Sequence, residues 1–163
     1  MYIFSFEDSA ACFLTKNLSL MCDSYDRKKL QIITDELIPG KWFHLTLSCQ
    51  TGDGQSFLLL QDNTRQIAIA ETTNFGFRQN SQYGWKACLG DCNSAFGFSG
   101  GIRELVLLNT AVRRDEARKA KNMIFVYNNS FKAYFRFQDI NNKFAKDEFV
   151  DREWLRFKKG EVK

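Results

Sequence analysis

Proline occurs once in the 163 residues and histidine once, and no run of 18 consecutive apolar residues exists. One proline beside ten glycines excludes collagen-like sequence and proline-rich linkers. Without a long apolar run there is no candidate membrane-spanning helix. The single histidine, His44, has no Ser, Cys or Asp placed by motif beside it, so nucleophilic triad chemistry finds no support. Charge of one sign is also lacking. Lys and Arg number 23 against 19 Asp and Glu, and the net +4 is spread along the chain, which excludes a disordered polyelectrolyte. No Lys or Arg precedes Lys16, and Glu7 and Asp8 interrupt the opening apolar stretch, so no signal peptide is expected. What the chain does have is apolar mass: 44% hydrophobic residues, 15% aromatic, with 16 Phe. That length suits one domain, or one with a short appendage, able to bury about two-thirds of its extended surface.

Five cysteines, Cys12, Cys22, Cys49, Cys88 and Cys92, allow at most two internal bridges with one thiol left over. Cys88-x3-Cys92 has no second ligand pair for a closed zinc site. A local bridge there would suit an oxidising compartment, and free, mostly buried thiols a reducing one. The sequons Asn17-Leu18-Ser19 and Asn128-Asn129-Ser130 would suit a secreted surface, but with eleven Asn two such matches are near chance. The sequence leaves the compartment open.

The patterning is that of strands. Tyr2 to Phe6 forms the first; Leu18, Leu20 and Cys22 mark a second, and Leu30 and Ile32 a third. From Trp42 to Cys49 the alternation places Phe43, Leu45, Leu47 and Cys49 on one face and Trp42, His44, Thr46 and Ser48 on the other. Pro39 sits in a turn before it. Phe57 to Leu60 is wholly apolar and predicts a strand, with Asp62-Asn63 as a tight hairpin turn of positive φ and a return strand at Ile67 and Ile69. Further strands are expected near Trp85 to Leu89, in GIRELVLLN, and in Ala133 to Gln138. One helix is predicted at Asp115 to Asn122, where acidic residues lead and basic ones follow in accord with the macrodipole. Seven or more short strands and a single late helix predict an all-β sandwich. Phe43, Leu45, Leu47 and Leu59 are expected between its two sheets.

Four segments resemble a known family in the order in which that family carries them. Pro39-Gly40-Lys41-Trp42-Phe43-His44-Leu45 resembles the W-x-H strand of laminin-G-like, concanavalin-type jelly rolls, a group that includes the pentraxins. Phe57 to Asn63 resembles the hairpin that follows there, Phe98 to Leu105 the next strand, and Thr110 to Ala117 the helical turn after it. The resemblance spans residues 1 to 122. It departs from the family in three places: Asn63 replaces the hairpin glycine, Arg113 replaces the capping Ser and leaves Thr110 as cap, and the family's opening strands have no counterpart before Met1. It implies a concanavalin-type β-sandwich over residues 1–125. Residues 126–163 then hold a further strand and charged tail, either the start of another unit or the strand that completes the sheet.

The resemblance also bears on chemistry. Glucan-cleaving relatives carry carboxylates on alternate residues of one strand. The nearest string here, Glu148, Asp151 and Glu153, puts the first two on opposite faces, so no enzyme activity is expected. Related domains often hold Ca²⁺ with loop oxygens, and Asp53, Asp62, Asp91 and Asn93 are the candidate ligands. Otherwise no cofactor is expected. Arg113, Arg114, Arg118, Lys119 and Lys121 make a basic helix face for a partner, with nucleic acid disfavoured because no aromatics are interleaved. The expected function is a non-catalytic recognition module binding protein or glycan within a larger, extracellular or cell-surface protein. The alternative is a structural subunit of a large intracellular assembly. A neighbouring chain or domain that completes the sheet edge is a further expected partner.

Overall fold

The computed structural model describes residues 1–6, 9–50, 54–76, 87–89, 100–108, 110–120, 131–136, 144–146 and 153–156. The chain divides into two compact units. The first holds Met1–Ser99 and Ala111–Met123; the second holds Gly100–Thr110 and Ile124–Lys163.

The first unit is two antiparallel sheets and a helix. One sheet has the order β4-β3-β2-β1-β8, from β1 (Tyr2–Phe6), β2 (Ala10–Leu14), β3 (Leu20–Ser24), β4 (Lys29–Ile32) and β8 (Ala87–Leu89). The other has the order β5-β6-β7, from β5 (His44–Ser48), β6 (Gln55–Gln61) and β7 (Gln66–Thr73). Most of these strands occupy the segments that the alternation predicts. The exception is β2, whose AACFL stretch carries small residues of weak strand preference and gave no sequence signal. The second strand read from sequence shortens correspondingly: Leu18 lies in the β2–β3 turn at φ 58°, and β3 begins at Leu20.

Between the sheets, Cys12, Leu20, Cys22, Leu30 and Ile32 meet Leu58, Leu60 and Phe75, with Phe43, Leu45, Leu47 and Cys49 half-buried against them. The strand β4 shows why: Leu30 and Ile32 are buried while Lys29 and Gln31 are exposed, the period of a sheet with one wet face. The strand β6 is different. It is buried at every position from Ser56 to Gln61, because its other face is covered too. There Phe57 and Leu59 pack with Ala117 of α1 (Arg114–Ala120), flanked by Ile69 and Val112. Leu59 is therefore buried as expected but under the helix and not between the sheets. The correction follows from strand parity: if Leu58 and Leu60 face the opposing sheet, Phe57 and Leu59 must face away.

The Cys12–Cys22 pair is bridged across directly opposed positions of β2 and β3, with Cα atoms 4.1 Å apart. Cys88 is also disulfide-bonded, whereas Cys49 is free. At the β6–β7 turn Asn63 does not take the positive φ expected of it, since among the described non-glycine residues only Leu18, Arg27 and Asn74 do. The carboxylate of Asp62 shapes that turn instead, accepting from Thr64 N at 2.7 Å, Thr64 Oγ1 at 2.8 Å and Arg65 N at 2.8 Å.

In the second unit, β9 (Glu104–Leu108) pairs antiparallel with β10 (Phe131–Arg136), Leu107 opposite Ala133 and Leu105 opposite Phe135. The strand expected over Ala133 to Gln138 is thus present through Arg136, paired with β9 in a sheet of its own; Phe137 and Gln138 lie outside the described residues. A hairpin of β11 (Phe144–Lys146) and β12 (Glu153–Arg156) follows.

Candidate functional site

The connection from β4 to β5, residues 33–43, is a chain of tight turns. Glu36 N donates to Thr34 Oγ1 at 3.1 Å and Ile38 N to Glu36 O at 2.9 Å. Lys41 N then donates to Ile38 O at 3.3 Å across Pro39 and Gly40, with Gly40 at φ 84°. That is a type II turn: proline sets the first central residue, and the second demands the left-handed region that glycine enters without steric cost. The segment is held from beneath by Leu37 and Phe43, which pack on the core, and from the side by an ion pair from Glu36 to Arg65 in the β6–β7 turn.

What these turns project is apolar. Ile33 is 79% exposed, Ile38 46% and Trp42 57%. Register places them together. Leu14, Leu20 and Ile32 line up across β2, β3 and β4, and His44, Gln61 and Gln66 across β5, β6 and β7. The Glu36–Arg65 pair joins these two ends, so one end of the two sheets carries Ile33, Ile38, Trp42 and the exposed Leu18 of the β2–β3 turn. The opposite end, at the β3–β4 turn, carries the exposed Tyr25. Scattered surface apolar residues are ordinary; here they concentrate on turns at one end. Alternation alone places Trp42 on the outer face of a strand and does not single out Ile33 or Ile38. The available signal was three large apolar residues within ten positions around Pro39-Gly40, a segment whose turn chemistry should be polar.

The basic helix face has a more internal role than expected. Arg114 forms an ion pair with Glu71 of β7 and donates to Gln55 Oε1 at 3.2 Å. Arg118 Nε donates to Gln66 Oε1 at 2.9 Å, and its carbonyl accepts from Gln61 Nε2 at 3.3 Å. These two arginines fasten α1 to the sheet, Arg114 half-buried and Arg118 exposed; Arg113 and Lys119 are exposed as well. Lys121 lies outside the described residues. Thr110 does not cap the helix: Arg113 occupies the capping position, and Glu116 Oε2 accepts from its N–H at 2.8 Å, one half of a capping box. Ahead of the helix, Ser48 Oγ both accepts from Val112 N and donates to Val112 O, each at 3.0 Å.

Of the candidate calcium ligands, Asp53, Asp91 and Asn93 lie outside the described residues, as do Glu148 and Asp151 of the carboxylate string. Glu153 opens β12. Asp62 is engaged by its own turn: hydrogen bonds from Arg65 N, then Thr64 Oγ1 and Thr64 N, hold its carboxyl at about 2, below the ordinary 3.8. Among the described residues no three His, Cys, Asp or Glu side chains gather as a metal group. His44 is half-buried at the start of β5, at the end of the row it shares with Gln61 and Gln66. No described helix is long and apolar enough to cross a membrane. Comparison with known proteins returns no matching family model, no matching curated protein and no matching solved structure.

Proposed function

We propose that this chain is a non-catalytic recognition module that engages a protein partner through the loop end of its first unit. The observation that carries the reading is the exposure of Ile33, Ile38 and Trp42 on a segment anchored by Leu37, Phe43 and the Glu36–Arg65 pair. Contact loops on a rigid sheet scaffold are a common binding design, because little ordering entropy is lost when the partner arrives. A tryptophan with aliphatic neighbours is the kind of anchor that dominates protein interfaces.

The same reading proposes a laminin-G-like, concanavalin-type jelly roll. Two face-to-face antiparallel sheets support it, as does the W-x-H segment, whose His44 opens β5, with the apolar strand β6 paired to β5. The buried Cys12–Cys22 bridge favours an extracellular or cell-surface setting over a subunit of an intracellular assembly. Calcium and glycan binding stay within the proposal as properties of the family resembled. Turnover of a β-glucan, abolished by Glu148→Gln with Glu153→Gln, would overturn the non-catalytic part.

The experiment is site-specific photocrosslinking. A photoreactive residue at position 42 should give a protein adduct that Ile38→Asp removes, while the same group at position 25, on the opposite end, gives none. Equal adducts from both positions, or none from position 42, would sink the assignment. An adduct made only with glycan would replace the protein partner by a carbohydrate.

A further inference from the structure

The sequon Asn17-Leu18-Ser19 forms the tip of the β2–β3 hairpin. Thr15 and Ser19 close that tip: Thr15 N donates to Ser19 O at 2.9 Å, Ser19 N to Thr15 Oγ1 at 3.1 Å, and Thr15 Oγ1 to Ser19 Oγ at 3.2 Å. Leu18 N returns to Thr15 O at 3.1 Å. Ser19 is thereby buried, while Lys16, Asn17 and Leu18 are exposed. On the same two strands, Cys12 and Cys22 are bridged inside the core, and Cys88 is bonded as well. A motif that chance alone supplies would carry no weight. Here it stands exposed on a hairpin whose own disulfide favours an oxidising compartment, the setting in which oligosaccharide transfer to asparagine takes place.

We propose that Asn17 is an N-glycosylation site, accepting its glycan from a polyprenyl-diphosphate-linked oligosaccharide. In the transfer, Asn17 Nδ2 attacks C1 of the reducing-end sugar, and an N–C bond forms as the C1–O bond to the diphosphate breaks. The polyprenyl diphosphate leaves with that electron pair, and one Nδ2 proton passes to a base of the transferase. Nothing is oxidised or reduced. The Ser19 hydroxyl assists only while the chain is extended, before the hairpin turns it inward against Thr15. After folding, Asn17 stays exposed outside the core, so a glycan there extends into solvent.

The test is peptide mapping of the full chain from its native source, digested with peptide-N-glycosidase in ¹⁸O water. The expected result is labelled deamidation at position 17 on a hairpin in which Cys12 and Cys22 are bridged. In a eukaryotic secretory host, Asn17→Gln and Ser19→Ala should each remove one glycan and Ser19→Thr should keep it. Asn128→Gln should leave occupancy of position 17 unchanged. Unmodified Asn17 in the native protein, or free thiols at Cys12 and Cys22, overturns the proposal.

Discussion

One disulfide and two further side chains carry local effects that substitutions read out. The Cys12–Cys22 bridge closes a loop with a sequence separation of 10, short enough that its effect on the unfolded chain is moderate. Replacing both residues by Ala should lower stability by about 2–4 kcal/mol in urea denaturation. Cys49 is the opposite case. Burial against the sheet core pushes its thiol from the ordinary 9.0 up to about 12, so the folded thiol stays neutral where the unfolded one ionises. Below pH 9 this costs nothing; between 9 and 12 the unfolded state releases a proton the folded state keeps, and stability falls as pH rises. Alkylation at pH 8 should accordingly leave Cys49 unmodified until denaturant is added. Asp62 works in the other direction. Its carboxyl, held at about 2, favours the folded state above pH 4 and loses that effect as pH falls toward 2. An NMR titration of the Asp62 side chain should show that depressed midpoint, and Asp62→Ala should flatten the acid limb of the stability profile.

At the level of elements, β6 organises the first unit because it is buried on both faces. Leu59→Ala opens a cavity beneath Ala117 and should cost about 2–5 kcal/mol. Ser48→Ala leaves both backbone groups of Val112 without their partner and should cost about 1–3 kcal/mol, with α1 loosening first in hydrogen exchange. Gly40→Ala forces a side chain into left-handed backbone and should cost about 1–2 kcal/mol by thermal or urea unfolding. It should weaken the position-42 crosslink as well, since the same turn aims Ile38 and Trp42. The alternation of WFHLTLSC made β5 legible from sequence, because period two is a property of neighbouring residues. The covering role of α1 was not legible. Among the described residues its packing contact is Ala117, with Val112 just ahead of the helix, too small a signal to separate from a solvated helix, and its fastening depends on Gln55, Gln66 and Glu71 far away in the chain.

Across the whole molecule the two units interleave in sequence, with Gly100–Thr110 belonging to the second while Ala111–Met123 returns to the first. Truncation after Met123 therefore removes β10 and leaves the apolar β9 strand with its ladder unpaired. An unpaired apolar edge templates association, so the truncated chain should elute as oligomers in size exclusion and scatter light where the full chain does not. A monomeric, equally stable truncation would mean that β9 does not need its partner.

The residue order alone determined the all-β class, the position of most strands, the late helix and the oddness of the cysteine count, because strand period, charge order and composition are local and survive without coordinates. It left the bridge unassigned, since the strand that sets Cys12 opposite Cys22 carries no pattern of its own. It placed Leu59 between the sheets, since parity along β6 says that neighbours face apart but not which side meets the other sheet. It did not gather Leu18, Ile33, Ile38 and Trp42 either. Their meeting at one end depends on the pairing of β2 to β4 and β5 to β7 and on the contact between Glu36 and Arg65, which are distances between residues remote in sequence and are decided only when the chain has folded.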